Sequence, residues 1–577
     1  MTMLTKWGAA LDRSCPLPEY PRPQLRRESF YNLNGVWDYA VTPSGDEPEV
    51  WDGEIVVPFS PEAPLSGAAR GPAKDEYLHY RRGFTLPEGF QKSRVLLHFG
   101  AVDQIAEVFV NGVSAAKHSG GYWPFSADIT SLLREGENIL RVTVRDNADD
   151  PTFAYGKQRY KRGGMWYTAQ SGIWQTVWLE SVPEVYVKSL RITPEFDEAR
   201  VRIELETALE SSAAITCDVR AADGSFVAGS WAKGGVCVVP LPGFRAWTPD
   251  DPYLYTLDIT CGEDHVESYF AMRKFSYVEL DGHKVFGLNN APLFHNGLLD
   301  QGYYPDGLLT PPSDEAMVND IETMKRCGFN MLRKHIKIEP LRWYYHCDRL
   351  GMIVWQDIVS GGQPYSFLHV SALPTLGKVD LPDQDAKPYG RSGVLSRARF
   401  RREMADTVRL LYNCPCIALW TVFNEGWGQF DALDMANELK KLDPTRFIDH
   451  ASGWQDQGYE EMKSRHIYFR PVKLKNDGRA LALTEYGGYI LTVDGHRWTD
   501  KVFGYRICRN SAALAHDYEK LMLGQVLPHI RKEGLTAAVY TQITDVEEEL
   551  NGLMTYDREV LKIPEETLRE INKQLKF

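Results

Sequence analysis

A chain of 577 residues with 43% apolar content has room for roughly three or four domains of about 150 residues each, with sizeable cores, and this excludes a disordered polymer. Its 65 Lys and Arg against 78 Asp and Glu leave a formal net charge of −13 with no long basic run, which excludes nucleic acid and other polyanions as bulk partners. The segment from Met1 to Asp12 has no apolar core of the signal-peptide kind, and no apolar run reaches the ~18 residues of a membrane span, so a cytoplasmic protein away from membranes is expected.

From Tyr31 to about residue 183, short β-rich runs alternate with turn residues at the spacing of an all-β sandwich. Runs 94–99, 106–113, 139–144 and 175–180 read as strands, and Asn111-Gly112 is a two-residue hairpin turn. The clusters Gly120-Gly121-Tyr122-Trp123 and Gly163-Gly164-Met165-Trp166-Tyr167 look exposed; they could stack on a sugar ring, although cores and domain interfaces use the same residues. Residues 184–275 read as a smaller sandwich with strands at 185–187, 201–205, 214–219 and 253–259. It holds no titratable cluster and is expected to couple its neighbours. The nine cysteines are scattered, with Cys414-Pro415-Cys416 the one close pair, and reduced, mostly buried thiols are expected.

After about residue 276 the pattern becomes strand, loop, helix, repeated. Strands are expected at 293–297, 330–333, 352–357, 416–425, 447–450, 466–469, 480–488 and 537–542, with a helix from near Ser313 that puts Met317, Ile321 and Met324 on one face. Eight strands with intervening helical stretches in roughly 300 residues imply a closed (β/α)8 barrel. The insert between Asp357 and Arg397, with Ser360-Gly361-Gly362 and several prolines, is too long for an ordinary connection and belongs at the rim where catalysis occurs.

Two of these strands carry the chemistry. The apolar run from Leu419 ends on Asn424-Glu425 and breaks at Gly426-Trp427-Gly428, and the run from Ala480 repeats the design with Glu485 before Gly487-Gly488. A carboxylate at the carboxyl end of a buried strand lies where α/β enzymes keep their reactive groups. For one such Glu an ion pair or helix cap is the plain alternative; two of the same local design argue for a catalytic pair.

With Asn34-Gly35-Val36-Trp37, Val110-Asn111-Gly112 and Gly172-Ile173-Trp174-Gln175 in the first third, then Asn330-Met331-Leu332-Arg333, Cys347-Asp348-Arg349-Leu350-Gly351, Asn424-Glu425 and Thr484-Glu485-Tyr486-Gly487, the chain resembles glycoside hydrolase family 2 along essentially its whole length. That family contains β-galactosidases, β-glucuronidases and β-mannosidases. The resemblance implies a multidomain fold: a jelly-roll sugar-binding-like β-sandwich over 1–183, an immunoglobulin-like β-sandwich over 184–275 and a catalytic (β/α)8 TIM barrel over 276–577.

By the same resemblance Glu425 is the acid/base and Glu485 the nucleophile of a retaining exo-β-glycosidase. Such chemistry needs one protonated and one ionised carboxyl about 5 Å apart. Partial burial should raise the pKa of Glu425, and donors around Glu485 should keep it charged. Asn424 is implied to bond the sugar 2-hydroxyl. Tyr468 is implied to orient the nucleophile or donate to it, a core tyrosine being the other reading. Trp355 and Asp357 could meet the sugar ring and a hydroxyl, with an arginine pair the other reading for Asp357.

Two departures from the family pattern concern the sugar. In Arg333-Lys334-His335-Ile336-Lys337 the histidine falls early and two lysines are added. Either this is a solvated basic rim, with Arg333 paired to a catalytic-side carboxylate, or Lys334 or Lys337 meets a substrate carboxylate. In Asn551-Gly552-Leu553, leucine stands where β-glucuronidases carry lysine, and Asp300-Gln301 stands near where relatives have a His-Glu-Asp run. A neutral β-galactoside is the leading expectation. A β-hexuronide, such as a galacturonide or glucuronide, is the alternative, and a non-catalytic carbohydrate-binding protein is the reading from another class. No cofactor or metal cluster is expected from the residues; magnesium or sodium, and a homo-oligomer, enter by resemblance only.

Overall fold

The computed structural model describes residues 3–209, 214–377 and 380–577. In the first third, Gly35–Thr42, Tyr77–Thr85 and Glu137–Arg145 lie within a six-stranded antiparallel sheet, and Arg94–Phe99 and Val177–Val182 within a four-stranded one. Period-two alternation turns Trp37, Tyr80 and Val142 of one sheet toward Val95, Leu97 and Phe99 of the other, forming a single buried cluster. The hairpin turns at Asn111 and Gly112, both in the left-handed region (φ 52° and 83°), as an Asn-Gly hairpin requires. A smaller sandwich follows, with three- and four-stranded sheets closing on Ile203, Cys217, Val219, Leu257 and Ile259. Eight of the nine cysteines are buried, and all nine are free thiols.

The last part is an eight-stranded parallel sheet: β1 (His295–Asp300), β2 (Met331–Lys334), β3 (Ile353–Asp357), β4 (Ile417–Thr421), β5 (Phe447–Asp449), β6 (Met462–Ile467), β7 (Ala480–Gly487) and β8 (Leu535–Thr541). The hydrogen-bonded order runs β5-β4-β3-β2-β1-β8-β7-β6. At the seam between β5 and β6, Ser464 Oγ donates to Asp449 Oδ1 and to the Ala451 carbonyl, each at 3.0 Å. The helix Asp314–Arg326 starts at Ser313, whose side chain accepts from the Ala316 N–H, and it buries Met317, Ile321 and Met324 on one face.

The expected strand-helix alternation fails twice. Among the described residues, connections 450–461 and 468–479 contain no helix. Gly453, Gly458, Pro471 and Gly478 interrupt these stretches, and no apolar 3.6-residue period runs through them. The long insert covers part of that gap: Gln455 Nε2 donates to the His369 carbonyl (2.8 Å), Leu381 N–H to Gln455 Oε1 (2.8 Å) and Gln429 Nε2 to Asp383 Oδ2 (3.0 Å).

The first sandwich reaches this rim. Tyr155 and Gly156 N–H donate to the Ser360 carbonyl at 3.1 and 3.0 Å, and Tyr155 OH donates to the Gly362 carbonyl at 2.7 Å. The first aromatic cluster, at Tyr122-Trp123, is not an exposed platform. Tyr122 and Trp123 are 1% and 7% accessible, and Trp123 Nε1 donates to Thr407 Oγ1 on a barrel helix. Their ring area closes the junction between sandwich and barrel. Among the described residues no helix is long and apolar enough to cross a membrane.

Candidate active site

Glu425 lies four positions beyond the end of β4, on a turn that the glycines make feasible. Gly426 and Gly428 have φ of 72° and 68°, and Glu425 itself sits at φ 55°, costly for a residue with a Cβ. The turn is held by the Glu425 N–H donating to the Ser452 carbonyl (2.9 Å) and the Trp427 N–H to the Asn424 carbonyl (3.0 Å). Glu485 lies within β7, His466 lies near the end of β6, and Tyr468 follows one position past that strand's end.

One carboxylate oxygen from each of Glu425 and Glu485 and a ring nitrogen of His466 lie within 4.8 Å of one another. His466 Nδ1 is 2.9 Å from Glu425 Oε1 and 3.5 Å from Glu485 Oε2. The carboxyls differ in their other partners. Tyr468 OH donates to Glu485 Oε2 at 2.6 Å and Arg333 donates to Oε1 at 3.2 Å, whereas His466 is the one side chain bonded to the Glu425 carboxyl among the described residues.

Burial raises the pKa of both carboxyls. At Glu485 it is opposed by His466, Arg333 and the Tyr468 hydroxyl, and reinforced by the charge of Glu425. At Glu425 it is opposed by the fields of Lys157 and Arg333. Burial also pushes His466 down to about 4. Of two neighbouring carboxyls, the one with more donors has its ionised form favoured, and here that is Glu485. Two carboxylates and an imidazole also make a donor set that suits a divalent cation. No such cluster was read from spacing, since His466 lies 41 positions from Glu425.

Arg333 is fully buried and organises the floor of the site. It donates to both oxygens of Asp357 (2.9 and 3.1 Å), to Asn424 Oδ1 (2.8 Å) and to Glu485 Oε1. Because Asn424 Oδ1 accepts from Arg333, its amide nitrogen is left as the group that can donate to a ligand. Asp357 also meets His335 Nδ1 at 2.7 Å. Burial alone would raise the Asp357 pKa, but Arg333 and His335 hold it down to about 2. Asp357 is thus committed to Arg333 and His335, and the expected hydroxyl contact gives way to the arginine pair. His335 is 2% accessible, and burial pushes its ring down to about 3.

Three further expectations are corrected. Lys334 follows inward-facing Arg333 on the strand and therefore points out of the barrel, where it bonds Asp300 Oδ2 and Glu339 Oε1 at 2.7 Å each and lies 4.2 Å from the Trp343 ring. Lys337 bonds Glu339 at 2.9 Å and donates to the Gly302 and Leu309 carbonyls at 2.5 and 2.8 Å. Both ammonium groups are buried and paired, so they form neither a solvated rim nor a carboxylate reader. Trp355 shares the inward face with Asp357 but sits a layer deeper, where its Nε1 donates to His295 Nδ1 (3.0 Å) and its ring meets Phe286 edge-on at 5.9 Å. It fills the barrel and does not meet a sugar.

The opposite wall is a hydrogen-bonded chain from β1 to the sandwich. Gln301 Nε2 donates to Gln542 Oε1 (2.9 Å), Gln542 Nε2 to Asn551 Oδ1 (2.9 Å), Asn551 Nδ2 to Glu549 Oε1 (3.1 Å) and Tyr167 OH to Glu549 Oε2 (2.5 Å). Asp300 is occupied by Lys334 and the Gly302 N–H. Gln301 Oε1 is buried with no partner among the described residues. Leu553 is 1% accessible and belongs to the core.

Sequence reasoning missed His466 and Lys157 as members of the site, while Trp166 belongs to the second aromatic cluster read as a sugar-contact candidate. His466 could have been found from its spacing to Tyr468. Trp166 packs edge-on at 5.1 Å against Trp427, and the Lys157 ammonium lies 5.7 Å from the Trp166 ring. No local signal marks Lys157, because a different domain delivers it.

The family model "Glycosyl hydrolases family 2, sugar binding domain" matches residues 64–183, "Glycosyl hydrolases family 2" matches 185–273 and "Glycosyl hydrolases family 2, TIM barrel domain" matches 311–474. The chain is 24% identical to a β-galactosidase of Thermoanaerobacter pseudethanolicus over 64% of its own length and 47% of that protein, so it spans under half of that relative. It is 22% identical to a β-glucuronidase of Paenibacillus borealis over 81% of its length and 84% of that protein. A solved β-glucuronidase from an uncultured Clostridium sp. superimposes with TM-score 0.75 at 19% identity, over 96% of this chain and 99% of that one. A β-galacturonidase from Eisenbergiella tayi superimposes with TM-score 0.72 at 18% identity, again over 96% and 99%. At such identities the superpositions establish a shared fold.

Proposed function

Since the chain belongs to glycoside hydrolase family 2, we propose that it is a retaining exo-β-glycosidase that removes one terminal hexose-type unit by double displacement. The observation that carries this reading is the approach of Glu425 and Glu485 to within 4.8 Å, with the charge-stabilising donors on one of them. Retaining hydrolysis places its two carboxyls about 5–5.5 Å apart, whereas inverting hydrolysis needs about 6.5–9.5 Å to admit water between them.

In the first step a Glu485 oxygen bonds to the anomeric carbon as the glycosidic C–O bond breaks, and the Glu425 proton passes to the leaving oxygen. In the second step the Glu425 carboxylate takes a proton from water, the hydroxyl bonds to the anomeric carbon and Glu485 is released ionised. Tyr468 and Arg333 hold Glu485 as a carboxylate before attack, and the Asn424 amide donates to the 2-hydroxyl, a contact that strengthens in the transition state.

We take a neutral β-galactoside as the leading reading of the sugar; the relatives themselves support β-galactosidase and β-hexuronidase activity equally. The wall from Gln301 to Glu549 offers carboxylate and amide groups, Lys334 and Lys337 are spent on Glu339, and Leu553 is buried. A β-hexuronide is favoured by one observation: the Lys157 ammonium has no ion pair among the described residues, and its field reaches Glu425, His335 and His466. Aryl β-galactoside, glucuronide, galacturonide, mannoside and glucoside should be assayed with wild type and Glu485→Gln. One of them should turn over in the wild type alone, and the 2-deoxy-2-fluoro form of that sugar should leave a covalent adduct on Glu485. Equal activity in both proteins, or no adduct, overturns the mechanism; no turnover of any substrate favours a binding protein.

A further inference from the structure

The outer flank of the barrel at β6 carries charge where a parallel barrel ordinarily carries apolar side chains. Ser464 turns inward to Asp449, so its neighbours Lys463 and Arg465 face outward, with side chains 18% and 19% accessible. Outward positions of such strands are normally covered by helices. Both connections that flank β6, 450–461 and 468–479, lack a helix, and a cavity of about 210 Å³ opens against this face.

The charged side chains that line it are all basic: Lys463 and Arg465 from β6, and Arg470, Lys473 and Lys475 from the connection that follows. Nearby carboxylates lie outside the lining and are shared. Asp477 meets Lys463 at 3.0 Å and Arg479 at 2.8 Å. Asp456 meets Arg479 at 2.7 Å and lies 3.9 Å from Arg465, whose nearer partner is Asp380 at 3.3 Å. Arg470, Lys473 and Lys475 form no ion pair among the described residues. The segment that carries them is anchored: Val472 and Leu474 are buried, the Val472 N–H donates to Gln525 Oε1 at 2.8 Å, and Asn476 Nδ2 donates to the Glu533 carbonyl at 2.7 Å. Cations held together in one recess focus their field and attract an anion.

Trp454 and His466 also line this cavity, and both touch the residue that bears the proposed acid. Trp454 Nε1 donates to the Glu425 carbonyl at 2.9 Å, His466 Nδ1 lies 2.9 Å from Glu425 Oε1, and the two rings meet edge-on at 5.5 Å. An indole suits the apolar face of a sugar ring, and the leaving group departs on the side of its general acid. Resting on the reading of Glu425 as that acid, we propose that the cavity binds an acidic saccharide, its sulfate or carboxylate held by Arg470, Lys473 and Lys475, and that this saccharide is the leaving group of the natural substrate. Guanidinium and ammonium donors together match either anion. In a chain of net charge −13 the recess is a local exception, which fits a short acidic oligosaccharide and not a long polyanion.

Calorimetry in low salt, where exposed charges are least screened, should compare glucose, glucuronate, glucose 6-sulfate and inorganic sulfate on the full chain and on the double variant Arg470→Gln with Lys473→Gln. An acidic sugar should bind at least tenfold more tightly than glucose, place its charged group beside Arg470 and Lys473 in soaked crystals, and lose at least tenfold in affinity in the double variant. Both side chains are exposed, so the melting temperature should stay within a few degrees. In the kinetic arm, the cleaved sugar linked to glucuronate or glucose 6-sulfate should show at least tenfold higher kcat/KM than the same sugar linked to glucose, and the double variant should bring that ratio within threefold of one. Binding of inorganic sulfate but of neither acidic sugar, an adventitious ion only, overturns the proposal, as does an affinity for acidic sugars that the double variant leaves unchanged. An acidic sugar seated in the cavity, with acidic and neutral disaccharides cleaved alike, overturns its role as leaving group. If no disaccharide or aryl glycoside turns over, the glycosidase reading fails, and calorimetry still decides whether the cavity takes an acidic sugar.

Discussion

Tyr468→Phe isolates the feature that separates the two carboxyls. It deletes one hydroxyl, the donor to Glu485 Oε2 at 2.6 Å, and keeps the ring that stacks on Tyr505 at 3.9 Å. The other partner of that hydroxyl, Thr541 Oγ1 at 3.0 Å, can rotate to a new acceptor, so the packing cost is small. A hydrogen bond to a charged group contributes about 1.5–3 kcal/mol, and a tenfold change in acidity corresponds to about 1.36 kcal/mol, so the acidity of Glu485 should fall about tenfold to a hundredfold. The sign follows from which form is bonded. The hydroxyl stabilises the carboxylate, so its loss favours the protonated acid, and the acid limb of kcat/KM against pH moves upward by about one to two pH units. Below the displaced limb, kcat/KM on an aryl β-glycoside should fall about tenfold for each pH unit that the limb has moved. An acid limb that stays in place, with kcat/KM within twofold across the profile, would refute the assignment of Glu485 as the ionised partner.

Glu425→Gln should cut kcat by more than about a hundredfold on glycosides with poor leaving groups but far less on a dinitrophenyl glycoside, which departs without a proton; a uniform loss across leaving groups would remove Glu425 from the acid role. Arg333→Met leaves Asp357 and Glu485 buried without their cation, so stability should drop by about 3–5 kcal/mol in denaturant titration, as for other broken buried pairs. His98, His295 and His335 are pushed by burial to about 3 and His466 to about 4, so between pH about 6.5 and 4 the unfolded chain binds protons that the folded chain refuses. Stability should therefore fall with pH in that window by about 1.4 kcal/mol per pH unit per ring, read from urea midpoints, and His295→Gln should lessen the slope. Lys157→Met removes a field that lowers the Glu425 pKa, so the basic limb of the pH profile should move upward; if the substrate is a uronide its KM should rise at least tenfold while that of a neutral glycoside stays within threefold.

Much of this protein follows from spacing along the chain. The β-rich run at 94–99, Asn111-Gly112 at a hairpin, Ser313 before an amphipathic helix and apolar runs ending at Asn424-Glu425 and holding Glu485 each specify a local conformation, and a family-wide order of motifs implies the roles of those two residues. Such signals are read within one element, where side-chain direction repeats every 2 or about 3.6 residues. Contacts between elements obey no such period, and there tertiary structure decided. Closure of the barrel set His466 beside Glu425 across 41 positions, turned Lys334 outward onto Asp300 and Glu339, and left Trp355 a layer below the site. Docking of the sandwich through Tyr155 and Ser360 carried Trp166 to Trp427 and Lys157 to the rim of the catalytic pocket. A lysine beside a barrel strand is a ligand for substrate or a buried structural cation according to which carboxylates the fold brings to it. Its own neighbours in the chain do not contain that information, because electrostatic pairing is a property of distance in space.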